Sequence, residues 1–184
     1  PEDSDVWSNK GYALGELGKF EEAIKAYEQA LRIDPEDSDF WIHLGVNFYK
    51  LGKFEEAIEA YEQALTIDPK KEIAWSNKGA ALFDMGEYEE AIKAYEQALR
   101  IDPENSVLWS NKGVALMKLG EYADAIIAFE EALKIDPENV NANETLAIAL
   151  KNLNNGNESP GDADDWNKKG VDLFNLEKYE DAII

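Results

Sequence analysis

Between Phe20 and Ile33 the apolar side chains fall at Phe20, Ala23, Ile24, Tyr27, Ala30 and Leu31, spacings of three and four that gather on one face of an α-helix. Glu21 and Glu22 lie in its first turn and Arg32 in its last, so the charge at each end complements the helix dipole. Pro35 disfavours helical backbone at the residue before it and ends the element. Upstream, a less regular helical pattern runs from about Ser4 to Leu17 and is entered through Asp3, a residue suited to an N-cap. Gly18-Lys19 joins the two helices, with glycine supplying the left-handed backbone of a helix C-terminus. The pattern therefore predicts a helix pair.

The pair recurs. Asp-Pro stands at 34–35, 68–69, 102–103 and 136–137, each 34 residues after the last, and Trp7, Trp41, Trp75 and Trp109 keep the same period. Glu21–Leu31 is identical to Glu89–Leu99, and Glu55–Leu65 differs from both only at Glu59. Gly52, Gly86 and Gly120 repeat the turn; Asp37, Asn105 and Asn139 repeat the N-cap, which Lys71 does not. One helix pair cannot bury its own apolar face, whereas stacked pairs can, so the expected fold is all-α, an α-solenoid of stacked antiparallel helix pairs. Each Trp should wedge between neighbouring helices, and truncation to Ala should cost about 3–5 kcal/mol. A coiled coil is the runner-up architecture, disfavoured by the regular Gly and Pro interruptions.

The unit resembles the tetratricopeptide-repeat (TPR) family, in a prokaryotic-type array. The second unit carries the motif best, as Trp41, Leu44, Gly45, Phe48, Ala57, Tyr61, Ala64 and Pro69. Gly11, Gly79 and Gly113 match Gly45 as structural glycines; Lys10, Lys78 and Lys112 stand where Leu is usual, their stems covering apolar surface. The resemblance implies a right-handed TPR superhelix over residues 1–153, with full repeats at 4–37, 38–71, 72–105 and 106–139 and a capping helix at 140–153, where Asn143 replaces Trp. Residues 154–161, rich in Asn, Gly and Pro, read as a linker. At 162–184 a further unit begins with Trp166-Asn167-Lys168-Lys169-Gly170 and reaches the start of its second helix, so the chain is expected to be a fragment of a longer repeat protein.

Composition narrows function. The formal charge is -21 among 184 residues, which repels nucleic acid and anionic membrane and favours an uncharged or basic partner segment. Cysteine is absent and His43 is the lone histidine, so no thiolate metal site, no cofactor site and no nucleophile–base pair is expected; the chain reads as no enzyme. No apolar run is long enough to cross a bilayer and no secretory signal is read at the start, so a cytoplasmic location is expected.

In TPR arrays the concave groove is lined by the first helices. By that resemblance the groove set here is Asn9, His43, Asn77 and Asn111, two residues after each Trp, with Tyr12, Tyr49, Phe83 and Met117 beside them. An amide offers an acceptor and two donors and can hold a peptide backbone whatever its side chains. The column resembles the asparagine ladder of glycosyltransferase-type TPR superhelices, with His43 as a gap; the alternative is that these amides satisfy their own neighbours. The Lys and Arg of a chaperone-tail carboxylate clamp are missing, which excludes that ligand. The expected role is a protein-interaction scaffold that binds a peptide or partner protein in this groove. Two alternatives stand beside it: a structural spacer or self-associating solenoid, and a substrate-presenting arm of an enzyme whose catalytic domain lies elsewhere. Head-to-tail or tail-swapped self-association is expected through residues 162–184, docking on Val6, Ala13 and Leu17.

Overall fold

The structure, a computed structural model, describes residues 3–156. The further unit expected at 162–184, and the self-association assigned to it, lie outside the described residues. The described residues divide into two compact units, one up to Pro103 and one from Glu104 on. In the first, α1 (Ser4–Glu16), α2 (Phe20–Ile33), α3 (Ser38–Lys50), α4 (Phe54–Ile67), α5 (Glu72–Asp84) and α6 (Tyr88–Ile101) form three antiparallel pairs. In the second, α7 (Ser106–Leu119) pairs with α8 (Tyr122–Ile135), and α8 packs on α9 (Val140–Gly156). The described residues hold helices and no strand, as the periodicity predicts. α9 runs three residues past its expected end at Leu153, so the first residues of the expected linker continue the helix.

Local chemistry places each helix end. Asp3, Asp37, Asn105 and Asn139 accept hydrogen bonds from amides two or three residues on, as N-caps do; for Asp37 the donors are the amides of Asp39 and Phe40, at 2.8 and 3.1 Å. Lys71 caps nothing with its side chain; its ammonium instead meets Asp39 at 2.7 Å. Between pairs, the Asp of the Asp-Pro turns the chain, as at three of the four steps: Asp34, Asp68 and Asp136 accept from the amides of Glu36, Lys70 and Glu138. Within pairs, Gly18 has φ +73° and a Cβ there would meet nothing within 4 Å, so the turn selects glycine for conformation and not for space.

The opposite holds inside the first helices. A Cβ on Gly11, Gly45, Gly79 or Gly113 would lie within 2.8 Å of the aromatic ring of Tyr27, Tyr61, Tyr95 or Phe129 on the paired helix. The absent side chain lets the two helices close on a buried ring, and the structural role expected of these glycines is this contact. In the first unit α2 packs on α3 and α4 on α5, so these two second helices are each shared between two first helices. Trp7 and Trp41 border the core of Ile24, Tyr27, Leu31, Phe40 and Leu44, while Trp41 and Trp75 border a second core of Ile42, Ala64, Leu65 and Ala74. Trp41 thus wedges between two clusters, but it is only half buried. Its indole N–H donates to the carbonyl of Pro35 at 3.0 Å, and Trp75 treats Pro69 identically. In α9, Asn143 sits at the Trp position and its amide donates to Pro137 at 3.3 Å, keeping the polar half of the contact without the ring.

One helix face stands apart. The positions that bury Phe40, Leu44 and Asn47 on α3 are filled on α1 by Val6, Lys10 and Ala13, all exposed.

Candidate peptide-binding face

Neighbouring first helices touch one another directly, α1 against α3 and α3 against α5, and α7 against α9 in the second unit; the second helices α2, α4 and α6 make no comparable contact among themselves. The first helices of the first unit therefore form its tighter layer. In the first unit they present three rows, one residue per repeat: Asn9, His43 and Asn77; then Tyr12, Val46 and Ala80; then Gly15, Tyr49 and Phe83. In the second unit α7 presents Asn111, Val114 and Met117 at the same register.

The amide row differs in detail along its length. Asn9 is exposed, and Asn77 and Asn111 are half buried. None of the three side chains makes a hydrogen bond among the described residues, and none has a polar atom sealed from solvent. Their donors and acceptors are open. His43 is placed at the same register, and its ring lies nearly parallel to that of Tyr27, with centroids 5.5 Å apart and planes 18° apart. The Tyr27 phenol beneath it is buried, which pushes it up to about 12, with Tyr12 adding to the rise.

The apolar row is more fixed. Tyr12 is the exception, 59% exposed. Tyr49 packs against the cluster of Ala57, Tyr61 and Ala81 and tilts on Phe54 at 5.4 Å. Phe83 meets Tyr88 edge-on at 5.3 Å, and both Phe83 and Met117 are half buried. The Tyr49 hydroxyl donates to Asp84 Oδ2, a short bond from α3 to the end of α5. That bond, then burial, then the nearby carboxylate charge push the Tyr49 phenol up to about 12. Tyr61 and Tyr95 are pushed up further, chiefly by burial. The charged side chains in the first unit's face are Asp5, Glu16, Asp39 and Asp84 against Lys50.

Sequence reasoning misses several of these side chains. Asn47 is buried where the sister helices carry Ala13, Ala81 and Ala115; its amide donates to the His43 carbonyl at 2.7 Å, one turn back, and its oxygen faces Gly15. The Tyr49–Asp84 bond spans 35 residues and leaves no local pattern. The lysines that replace the motif's leucine do more than cover apolar surface. Lys10, Lys78 and Lys112 place their ammonium groups 4.8, 5.6 and 5.6 Å from the centroids of Trp7, Trp75 and Trp109, and Lys78 also pairs with Glu62 at 2.6 Å. This signal was legible, since each Lys follows its Trp by three residues, one turn along the same helix.

Comparison with known proteins agrees with this architecture. Among solved structures, a crystal structure of MamA protein matches with a TM-score of 0.78 at 23% identity, covering 97% of this chain and 94% of that one. MamA residues 41 to the end from Desulfovibrio magneticus RS-1 matches with a TM-score of 0.77 at 19% identity, covering 99% and 97%. At these identities the likeness concerns the fold. No curated protein matches the chain. Among the described residues, no helix is long and apolar enough to cross a membrane. One tetratricopeptide-repeat family model matches residues 8–72 and 77–140, more than half of the chain, and a second matches 60–93; the chain belongs to the tetratricopeptide-repeat family.

Proposed function

We propose that this chain is a protein-interaction scaffold whose first-helix face holds a peptide segment of a partner protein. In the first unit the partner's backbone lies along the amides of Asn9 and Asn77, past the His43 ring, with its side chains against Tyr12, Tyr49 and Phe83. In the second unit Asn111 and Met117 offer the same pair of functions. The role is one of holding and presenting, with no group assigned to catalysis.

The observation that carries this reading is the open state of the amide row. A buried or half-buried amide ordinarily finds a partner in its own protein, and Asn47 does so at once. The half-buried Asn77 and Asn111 have none, and with the exposed Asn9 they fill the same register in three of the four repeats, which suits groups kept for a ligand. The test is a binding series on a partner recovered by affinity capture. Asn9→Ala and Asn77→Ala should each weaken binding by about 1 kcal/mol while leaving thermal stability unchanged, because no intramolecular bond is lost. Unchanged affinity in the double variant rejects the amide row as the peptide contact, and a fall in stability shows that the amides serve packing.

A further inference from the structure

At the last residue of each first helix the chain carries Glu16, Lys50, Asp84 and, one residue before the end of α7, Lys118. A helix C-terminus concentrates partial negative charge on its free carbonyls, so a cation suits this place and a carboxylate does not. Lys50 and Lys118 follow that rule; Glu16 and Asp84 break it. Of these two acids, Asp84 alone is fixed by a side chain from another helix, the hydroxyl of Tyr49. A phenol bond orients the carboxylate without neutralising it. Asp84 remains exposed, its Oδ1 is open, and it makes no ion pair with any described residue.

The surroundings of that carboxylate are aromatic. Phe83 precedes it and is held edge-on to Tyr88, while Tyr49 is braced by Phe54. A charge pinned in orientation, at the negative end of its helix and flanked by braced rings, is a receptor for a planar cation. Guanidinium can donate to an oriented carboxylate while stacking on a ring, which the compact ammonium of lysine does less well.

We infer that Asp84, oriented by Tyr49 and flanked by Phe83 at the joined ends of α3 and α5, is a subsite for one arginine side chain of the bound segment. The inference rests on the reading of this face as peptide-binding and adds its charge specificity. Asp84 contacts the ligand; Tyr49 is a positioning residue. The arginine comes from a protein partner, in keeping with a formal charge of -21.

The test uses the full chain, isotopically labelled for NMR, at 0.15 M salt. The probes are the blocked pentapeptide Ala-Ala-Arg-Ala-Ala and its citrulline counterpart, which keeps the planar shape and loses the charge. The arginine probe should shift the amides around Lys50–Gly52 and Phe83–Gly86 and bind at least tenfold more tightly than the citrulline probe. Asp84→Asn, which keeps an acceptor for Tyr49, should abolish the difference between the probes. Tyr49→Phe should reduce arginine affinity several-fold while leaving a preference over citrulline. Equal binding of the two probes, arginine shifts that survive Asp84→Asn, or no arginine-dependent shift at these helix ends would overturn the subsite. Shifts at Asn9 and Asn77 with both probes would then leave the peptide face standing; shifts confined to the second helices would remove both.

Discussion

Replacing Gly45 with alanine isolates the contact on which each helix pair is built. The added Cβ would stand 2.6 Å from Cε1 and 2.8 Å from Cδ1 of Tyr61, whereas non-bonded carbons settle near about 3.5–4.0 Å. The ring must therefore give by about 1 Å. It has nowhere to go: Tyr61 is 1% exposed, wrapped by Ala57 and Ala81, and its helix is pinned between α3 and α5. Overpacking of this kind costs about 1–3 kcal/mol, and the tightness of the approach argues for the upper end. Alanine returns about 1 kcal/mol of helix propensity, so the net loss should be about 1–2 kcal/mol. Gly15→Ala is the control. Its Cβ would meet Asn47 Oδ1 first, at 3.2 Å; that buried amide is held by the His43 carbonyl but need give only by a few tenths of an ångström, so the variant should stay within about 1 kcal/mol of the parent. Urea midpoints from circular dichroism, with slopes compared to confirm an unchanged exposed surface, measure both variants. Hydrogen exchange should place the Gly45→Ala loss in α3 and α4, since repeat stability is a sum of local and neighbour contributions. A Gly45→Ala midpoint at or above that of Gly15→Ala would show that the ring does not fill the glycine notch.

Lys71→Asn should raise stability by about 0.5–1 kcal/mol, because an N-cap acceptor is gained where only an exposed pair with Asp39 is lost; a lower urea midpoint would mean that the pair outweighs the cap. Alkaline pH should destabilise the chain. Unfolded phenols lose their protons near about 10, whereas Tyr27 and Tyr49 hold theirs to about 12, so their contribution is complete below pH 10 and is lost as pH rises through about 12. Urea midpoints measured from pH 9 to 12 should fall across that window, and a flat profile would contradict the shifts. Binding of a basic partner should weaken steeply as salt shortens the screening length from about 10 Å at 0.1 M to about 3 Å at 1 M; affinity that holds would move the weight to apolar contacts.

The fold was legible because its determinants are local and repeated. The glycine turn, the Asp and Asn caps and the Asp-Pro stop each act within a few residues, and the 34-residue period shows that the pairs must stack. Even the family's glycine at Gly45 could be placed from sequence, although its cause, a ring on the next helix, could not. The site was legible only as a register. Knowing that Asn9, His43 and Asn77 share a row does not reveal that His43 lies on Tyr27 or that the amides are open, because both depend on how closely one repeat seats on the next. Tyr49 and Asp84 belong to different repeats and fill different places in them, so no periodicity pairs them. Nothing in the local pattern marks Asn47, which is buried together with Phe40 and Leu44.

The central claim is that the first helices carry a peptide-binding face. It is tested most directly by selecting peptides against the full chain from an unbiased display library and mapping the tightest binder by backbone amide shifts. The account predicts shifts concentrated on the first-helix rows, at Asn9, Tyr12, His43, Asn77 and Phe83 in the first unit and Asn111 in the second, with basic residues enriched among the selected peptides. Binders that map instead to the outer faces of α2, α4 and α6, or a library that yields no binder at all, would contradict it.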